Sequence, residues 1–288
     1  MPQLTDSAYV RDLLSRHGFS FSKKLGQNFL INPSVCPRMA ALCGADREGG
    51  VLEIGPGIGV LTRELAAVAG RVAAIELDER LIPVLKETLA ECPNVTVIQG
   101  DALKLDLAAL IAEQFGERRV SVCANLPYYI TSPLIMALLE SRLPIDSLTV
   151  RVQKEAAARL CAAPGTRAAG AVTLAVAYYA EAEKLFDVSR GSFLPAPNVD
   201  SAVIRLAVRK TPPVAVRDEA FLFRLIRAGF NQRRKTLSNS LMGAVPDKEA
   251  LAAAFSAAGV SPTARAENLT LEQFASLANA LCDREEHT

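Results

Sequence analysis

The chain has 288 residues, half of them hydrophobic, and a formal net charge of only +1 at pH 7. This length allows one sizeable hydrophobic core and a second, smaller one. The overall charge does not indicate a nucleic-acid-binding protein, so any such function requires a local concentration of basic residues.

The cysteine, histidine and hydrophobic patterns of the chain exclude several other classes of protein. The six cysteines form no CxxC pair and the two histidines form no metal-ligand pattern, which favours free thiols in a reducing compartment and no bound metal. The first 16 residues lack the apolar stretch of a secretory signal, and the longest uncharged run, residues 168–180, is too short to span a bilayer. We therefore expect a soluble, cytoplasmic enzyme with no membrane segment, and we take it to be a monomer.

Short runs rich in β-branched residues alternate with helical patterns through the first two thirds of the chain. Strands are predicted at residues 51–54, 72–75, 95–98, 120–124, 148–152 and 203–208. Helices are predicted between them at residues 60–68, 79–89 and 107–115. This alternation predicts an α/β fold with a mostly parallel, doubly wound sheet, in which ligands bind at the carboxyl ends of the strands.

The last quarter of the chain has only helical patterns, at residues 218–241, 247–258 and 271–281. A Lys-Thr-Pro-Pro segment at residues 210–213 precedes them and is typical of a linker. Thr270 and Gln273 have the spacing of a capping box at the start of the last helix. The sequence therefore predicts two domains, residues 1–210 and a small helical domain of residues 211–288.

A glycine loop containing Gly55, Gly57 and Gly59 follows the first strand, as expected where the backbone turns tightly beside a ligand. Glu76 ends the second strand, and its carboxylate can accept both hydroxyls of a ribose. Asp101 follows the third strand and can accept a hydrogen bond from an adenine amine. Together they indicate an adenosine-bearing cofactor, and the lack of pyrophosphate-binding spacing favours S-adenosylmethionine over NAD. The alternative interpretation is a tight turn and two exposed loop carboxylates.

The fourth strand runs into Asn125-Leu126-Pro127-Tyr128. The exocyclic nitrogen of adenine is a poor nucleophile because its lone pair is delocalised into the ring, so a methylating site has to hold both amine hydrogens with acceptors. The side-chain oxygen of Asn125 and a backbone carbonyl of Leu126 or Pro127 can do this. Pro127 also stiffens the loop, and Tyr128 offers a face on which a base can stack. Phe193 is a second stacking candidate, with ordinary core packing as the alternative.

Positive charge is concentrated in residues 201–240, where nine basic and two acidic residues give a net charge of +7. Arg233, Arg234 and Lys235 are consecutive within this segment. Such a cluster can bind the phosphates of a nucleic acid without reading its sequence, whereas the alternative is a solvated helix face.

Six motifs, in order along the chain, resemble those of the rRNA adenine N6-dimethyltransferase family of the KsgA type. They lie at residues 24–30, 51–62, 125–130, 153–155, 193–201 and 230–237. The resemblance implies a class I (Rossmann-like) S-adenosylmethionine-dependent methyltransferase domain followed by a small helical domain that binds RNA. It implies transfer of four methyl groups to two adjacent adenines in the 3′-terminal hairpin loop of small-subunit (16S) rRNA, late in small-subunit assembly.

The resemblance also implies roles for individual residues. It places Asn28 and Leu30 around the cofactor, together with Gly55, Glu76, Asp101 and Asn125. With the resemblance, phosphate contact becomes the favoured interpretation of Arg233, Arg234 and Lys235. Asn32 and Ala169 depart from the pattern of the family, at positions where an acidic and an aromatic residue are expected, and neither belongs to the catalytic set.

Three other functions are alternatives. An antibiotic-resistance methylase acting on large-subunit rRNA shares the fold and an Asn-x-Pro-Tyr motif, but Leu126 and the motifs at residues 26–28 and 233–237 favour the small-subunit enzyme. A non-enzymatic assembly factor is disfavoured by the intact motif from Asn125 to Tyr128. An NAD oxidoreductase is disfavoured by the spacing of the glycine loop.

Overall fold

The computed structural model describes residues 4–19, 28–232 and 234–285. Contacts within the chain divide it into two compact units. The first contains the residues up to 157 together with residues 182–208, and the second contains residues 158–181 together with the residues from 209 onwards. The sequence prediction assigned every residue up to 210 to one domain, so residues 158–181 are grouped differently in the structure.

A seven-stranded sheet forms the centre of the first unit. Its strands are β2 (Gly50–Ile54), β3 (Arg71–Glu76), β4 (Val95–Gln99), β5 (Val120–Ala124), β6 (Ser147–Gln153), β7 (Ala180–Val188) and β9 (Ser201–Val208), and a separate antiparallel pair is formed by β1 (Phe29–Leu30) and β8 (Phe193–Leu194). The order in the sheet is β4-β3-β2-β5-β6-β9-β7, with parallel pairs from β4 to β6 and an antiparallel pair between β6 and β9. All six predicted strands are confirmed, whereas β7 and the short pair were not predicted.

The register of the parallel strands brings the site residues to one edge of the sheet. Ile54 is level with Ile75 on one side and with Ala124 on the other, and Ile75 is level with Ile98. Every residue of β2 and β5 is buried, as expected for apolar parallel strands covered on both faces. The segments that follow β2, β3, β4 and β5 therefore leave the sheet side by side.

Six helices lie within the described residues of the first unit. They are α1 (Ser7–Arg16), α2 (Val35–Leu42), α3 (Val60–Val68), α4 (Ile82–Thr88), α5 (Leu107–Phe115) and α6 (Tyr128–Glu140), and α7 (Lys154–Leu160) runs across residue 157. The helix predicted at residues 79–89 is a 3₁₀ turn, Glu79–Leu81, followed by α4. Pro83 stands in the first turn of α4, where its missing N–H costs nothing. Helices α1, α2 and α6 were not predicted.

The second unit is helical. It contains α8 (Ala171–Tyr179), α9 (Glu219–Asn231), α10 (Leu237–Leu241), α11 (Lys248–Ala257) and α12 (Leu271–Glu285). The single helix predicted at residues 218–241 is wrong, because the chain breaks between α9 and α10. The amide of Leu237 donates to the carbonyl of Ala264 (2.7 Å), and Thr236 is extended. The capping box at Thr270 and Gln273 is confirmed, with distances of 3.0 and 3.3 Å between side chain and amide.

Two tyrosines explain why residues 158–181 belong to the second unit. The hydroxyls of Tyr178 and Tyr179 donate to the carboxylate of Glu219 in α9, at 3.0 and 2.5 Å. The ring of Tyr179 stacks on that of Phe223, with 5.4 Å between centroids and an interplanar angle of 16°. These long-range contacts tie α8 to α9, and local sequence patterns carry no sign of them.

Within the described parts of the chain, no helix combines the length and the apolar character needed to cross a membrane.

Candidate active site

The loop after β2 requires glycine for its backbone conformation. Gly55, Gly57 and Gly59 all have positive φ, of 73°, 62° and 87°, which L side chains rarely adopt. A Cβ on Gly55 would also lie 2.8 Å from the side chain of Leu126. The loop therefore places backbone that carries no side chain at the edge of the sheet. Gly59 is the N-cap of α3, which begins at the next residue.

Glu76, at the end of β3, is buried and points back at this loop. One carboxylate oxygen accepts a hydrogen bond from the amide of Asp78 (2.8 Å), and the other accepts one from the amide of Gly57 (3.2 Å). Burial raises the pKa of Glu76, while these two hydrogen bonds lower it. The two bonds hold the carboxylate in one orientation with acceptor capacity left over.

Asp101 lies beyond the end of the neighbouring strand β4. Its carboxylate accepts a hydrogen bond from the amide of Leu103 (3.1 Å) and lies 3.3 Å from the ammonium of Lys104. The side chain of Lys104 is largely exposed, so this ion pair is weak and leaves the carboxylate accessible.

A single cavity in the first unit brings the predicted cofactor residues together. Those that line it are Asn28, Leu30, Gly55, Gly57, Glu76, Asp101 and Asn125. Pro127 also lines it, whereas Tyr128 and Phe193 do not. Ile54, Ile58 and Ile75 line the cavity together with these carboxylates. An apolar slot beside fixed carboxylates fits an adenosine, which offers a flat ring, an amine and two hydroxyls.

The N-terminal helix α1 supports one wall of this cavity. Val10, Leu13 and Leu14 are buried in a cluster with Phe29, Ile58, Leu81 and Val84, and three of these partners line the cavity. At the end of α1, Arg16 and His17 contact the carboxylate of Glu87 at 3.0 and 2.7 Å. The helix thus buries the side chains that shape the pocket.

Glu53, in β2, is a cavity residue that the sequence analysis missed as part of the site. It is only 1 % exposed, lines the cavity and, within the described residues, has one carboxylate oxygen without a hydrogen-bond partner. Burial, together with the smaller effect of the nearby carboxylate of Glu76, raises the pKa of Glu53 to about 8. The acidic residue in the otherwise apolar strand β2 could have indicated its place in the site.

We expect Glu53→Gln to remove a pH-dependent loss of stability. The pKa of Glu53 is higher in the folded protein than its ordinary value of 4.5, so the protonated carboxyl stabilises the folded state. This stabilisation is fully present below pH 4.5 and is lost as the pH rises to about 8. Over that range the wild type should lose about 1.4 kcal/mol of unfolding free energy per pH unit relative to the variant. Urea unfolding of the cofactor-free protein at pH 5, 7 and 9 measures the difference.

The matched control for this prediction is Glu113→Gln, on the exposed face of α5. Its unfolding free energy should follow the wild type at every pH. Parallel pH profiles for Glu53→Gln and the wild type would show that the buried carboxyl does not titrate in this range.

The loop after β5 holds two hydrogen-bond acceptors side by side. The side-chain oxygen of Asn125 accepts from Nε of Arg151, and the carbonyl of Leu126 accepts from Nη2 of the same guanidinium (3.1 Å). The carbonyl of Pro127 is instead occupied within α6, by the hydroxyl of Thr131 at 2.9 Å. The sequence did not decide whether the second acceptor is the carbonyl of Leu126 or that of Pro127. The carbonyl of Leu126 is the one that accepts from the guanidinium of Arg151.

Tyr128 and Phe193, the two expected stacking residues, both lie against Arg151. Its guanidinium carbon is 4.8 Å from the centroid of the Tyr128 ring and 4.4 Å from that of the Phe193 ring. The Tyr128 hydroxyl is 2.7 Å from that of Ser201, and Phe193 is only 2 % exposed. Arg151 was not predicted as a site residue, although a single arginine in the otherwise uncharged strand β6 could have indicated one.

The expected RNA-binding residues are only partly within the described structure. Arg234 and Lys235 are exposed in the turn between α9 and α10, whereas Arg233 and residues 24–27 of the N-terminal motif lie outside the described residues. The +7 segment is divided between the two units, since Arg205 lies in β9 of the first unit and the residues from Arg209 onwards belong to the second. Arg209 is paired with Glu181 at 3.0 Å.

No group of three or more metal-ligating side chains occurs in residues 4–19, 28–232 and 234–285. All six cysteines are free thiols. Burial raises the pKa of the Cys36 and Cys123 thiols well above the usual range, which makes both poor nucleophiles.

The parallel sheet, its glycine loop and the acids after β3 and β4 define a class I S-adenosylmethionine-dependent methyltransferase domain. The structure is similar to that of the 23S rRNA methyltransferase ErmE, with a TM-score of 0.69, 29% identity, and coverage of 88% of this chain and 100% of that one. It is also similar to a dimethyladenosine transferase from Plasmodium falciparum, with a TM-score of 0.73, 26% identity, and coverage of 86% and 95%.

The chain belongs to the ribosomal RNA adenine dimethylase family, whose model matches residues 18–283. It is 51% identical over 279 residues to the ribosomal RNA small subunit methyltransferase A of Geobacillus thermodenitrificans, covering 94% of both proteins. It is 49% identical over 277 residues to the protein of that name from Bacillus mycoides, covering 94% of this chain and 95% of the relative. The protein is thus an S-adenosylmethionine-dependent rRNA adenine methyltransferase, and the oxidoreductase alternative is excluded.

Proposed function

We infer that this protein dimethylates the N6 amines of adenines in small-subunit rRNA. The observation that carries the inference is a cavity lined both by the carboxylates of Glu76 and Asp101 and by the loop that holds two acceptors, the side-chain oxygen of Asn125 and the carbonyl of Leu126. The relatives named for the small subunit share about half of their residues with this chain, whereas ErmE, named for 23S rRNA, shares 29%. This difference favours the small subunit over the large-subunit alternative.

The residues around the cavity fit the cofactor. When bound, S-adenosylmethionine supplies an electrophilic methyl group on a sulfonium. The carboxylate of Glu76 accepts the ribose hydroxyls, and that of Asp101 accepts the adenine amine of the cofactor. The glycine loop lets backbone approach the ligand closely, while Asn28 and Leu30 cover it. The carboxyl oxygen of Glu53 that has no hydrogen-bond partner among the described residues adds a polar group to the cavity lining.

The residues beside the cavity position the target amine. Asn125 and the carbonyl of Leu126 hold its two hydrogens, so the nitrogen lone pair is freed from the ring and directed at the methyl group. Pro127 fixes the carbonyl by restricting the backbone, and Tyr128 and Phe193 provide the aromatic faces for the extracted base. No strong general base is required, because positioning in an attack geometry supplies most of the acceleration.

The finer assignment follows the family resemblance. The proposed substrates are two adjacent adenines in the 3′-terminal hairpin loop of 16S rRNA, methylated late in small-subunit assembly. The protein is proposed to act in the cytoplasm, as a monomer and without a metal ion. The helical unit is proposed to bind rRNA phosphates through Arg233, Arg234 and Lys235.

Transfer of labelled methyl groups tests this function directly. Labelled S-adenosylmethionine is offered with undermethylated small subunits, with large subunits and with naked rRNA, and the labelled nucleotides are mapped. Label in paired dimethyladenines of the small subunit is the expected result. Label confined to large-subunit rRNA would support the antibiotic-resistance type of enzyme, and no label in any RNA would favour a non-enzymatic assembly factor.

Arg234→Ala should weaken binding to small subunits and reduce its salt dependence. Removing one phosphate contact lowers the slope of log affinity against log salt by about 1. Filter binding between 50 and 300 mM salt measures the slope. The control is Lys86→Ala, which removes an exposed positive charge from α4 in the other unit. If both variants keep the wild-type slope, Arg234 belongs to a solvated surface and not to the RNA interface.

A further inference from the structure

Arg151 is the least expected residue beside the active site. It is a charged side chain in the central strand β6 and is only 2 % exposed. Its donors reach the side-chain oxygen of Asn125, the carbonyl of Leu126 (3.1 Å) and the hydroxyl of Ser201 (2.9 Å). None of these partners is a carboxylate. Burying a guanidinium against neutral partners is costly, so this arrangement calls for a physical explanation.

The contacts of Arg151 coincide with those proposed for the target adenine. Two of its donors occupy the acceptors assigned to the adenine amine, and the planar group lies 4.8 and 4.4 Å from the centroids of the two aromatic rings assigned to base stacking. A guanidinium is flat, carries several N–H donors and packs on aromatic faces, which are also the features of the amine edge of adenine. The guanidinium and a base cannot both occupy the space against these two rings.

We propose that the guanidinium of Arg151 occupies the slot of the target base in the free enzyme and competes with every incoming base, an inference that rests on the proposed function. The guanidinium has to leave Asn125 and Leu126 before a base can enter. Adenine restores both hydrogen bonds with its own amine hydrogens. A base without that amine leaves two buried acceptors unpaired, so it displaces the arginine only at a higher concentration.

This arrangement also lowers the apparent affinity for any base. The pocket is open for only a fraction of the time, and the apparent dissociation constant rises by the inverse of that fraction. Removing the guanidinium should therefore lower the apparent dissociation constant of either base by that factor, and a base without the amine, which binds weakly, shows the gain most directly.

The test uses small subunits reconstituted with 2-aminopurine at one target adenine. This fluorescent base stacks like adenine but lacks the 6-amine, and its emission changes when it leaves the RNA stack. With the wild type, emission should change only at a high enzyme concentration. With Arg151→Met, which keeps the length of the side chain but has no donors, emission should change at an enzyme concentration lower by about tenfold or more.

Two further variants keep the test decisive. Arg205→Met removes an arginine from the neighbouring strand β9 and should behave as the wild type. Arg151→Lys keeps the buried charge but cannot bridge both acceptors, and it should engage 2-aminopurine at an intermediate concentration. Thermal unfolding shows whether Arg151→Met folds. If it does not, the comparison of Arg151→Lys with the wild type decides the question.

Two results would overturn the proposal. One is equal engagement of 2-aminopurine by the wild type and the folded Arg151 variants. The other is loss of both 2-aminopurine engagement and adenine methylation in those variants, which would make Arg151 a permanent part of the base site. Methylation of unmodified subunits by the wild type is measured in the same preparation and tests the proposed function separately.

Discussion

Asn125→Ala is expected to lower kcat by about 10²- to 10³-fold, the usual effect of removing one positioned polar group that acts in the transition state. The side-chain oxygen of Asn125 is one of two acceptors beside the cavity, and the amine nitrogen needs both to expose its lone pair. Affinity for S-adenosylmethionine should fall by less than about tenfold, since at most one hydrogen bond to the cofactor is lost. Single-turnover methyl transfer to small subunits and calorimetric cofactor binding measure the two effects.

The matched control is Asn94→Ala. The amide of Asn94 donates to the carbonyls of Ala66 and Ala69, both at 3.0 Å, and it does not line the cavity. This variant should lose stability but keep its turnover. Near-normal turnover in Asn125→Ala would show that the acceptors for the target amine lie elsewhere.

Glu76→Gln is expected to act on cofactor binding, in contrast to Asn125→Ala. An amide offers one acceptor oxygen in place of two and carries no charge, and hydrogen bonds to a charged group are the stronger ones. The dissociation constant for S-adenosylmethionine should rise about 10- to 100-fold. At saturating cofactor, kcat should stay within a few-fold of the wild type, because the carboxylate does not contact the reacting amine.

A structural effect of Glu76→Gln has to be separated from a loss of ligand contacts, because the carboxylate also accepts the amide of Gly57. Thermal unfolding of the cofactor-free variant makes this distinction. Glu113→Gln, which removes an exposed carboxylate from α5 away from the cavity lining, is the control and should bind the cofactor normally. A drop in kcat with unchanged cofactor affinity would contradict the role assigned to Glu76.

The strands, the glycine loop and the acids that follow it were predictable because each depends on short-range patterns. A run of β-branched residues that ends in glycine predicts a strand and a turn without knowledge of any partner. Once the sheet is parallel, residues after successive strands have to meet at one edge, so Gly55, Glu76, Asp101 and Asn125 could be grouped before any contact was known. Their positions around one cavity agree with that grouping.

Other features depend on partners far away in the chain. The break before α10 arises because the amide of Leu237 bonds to the carbonyl of Ala264, and the helical pattern itself continues through it. The grouping of α8 with α9 depends on hydroxyl contacts to Glu219. Hydrophobic periodicity records which face of an element is buried, but it does not record what covers that face.

By itself, the sequence determined the α/β class, the edge of the sheet at which the cofactor binds and the loop that presents Asn125. These follow from local periodicity and from the geometry common to all parallel sheets. Only the tertiary structure decided that Glu53 is buried with a free oxygen and that Arg151 lies against Tyr128 and Phe193. The physical reason is that burial and contact arise from packing between distant segments, and the pKa of a carboxyl or the partner of a guanidinium is fixed only when those segments meet.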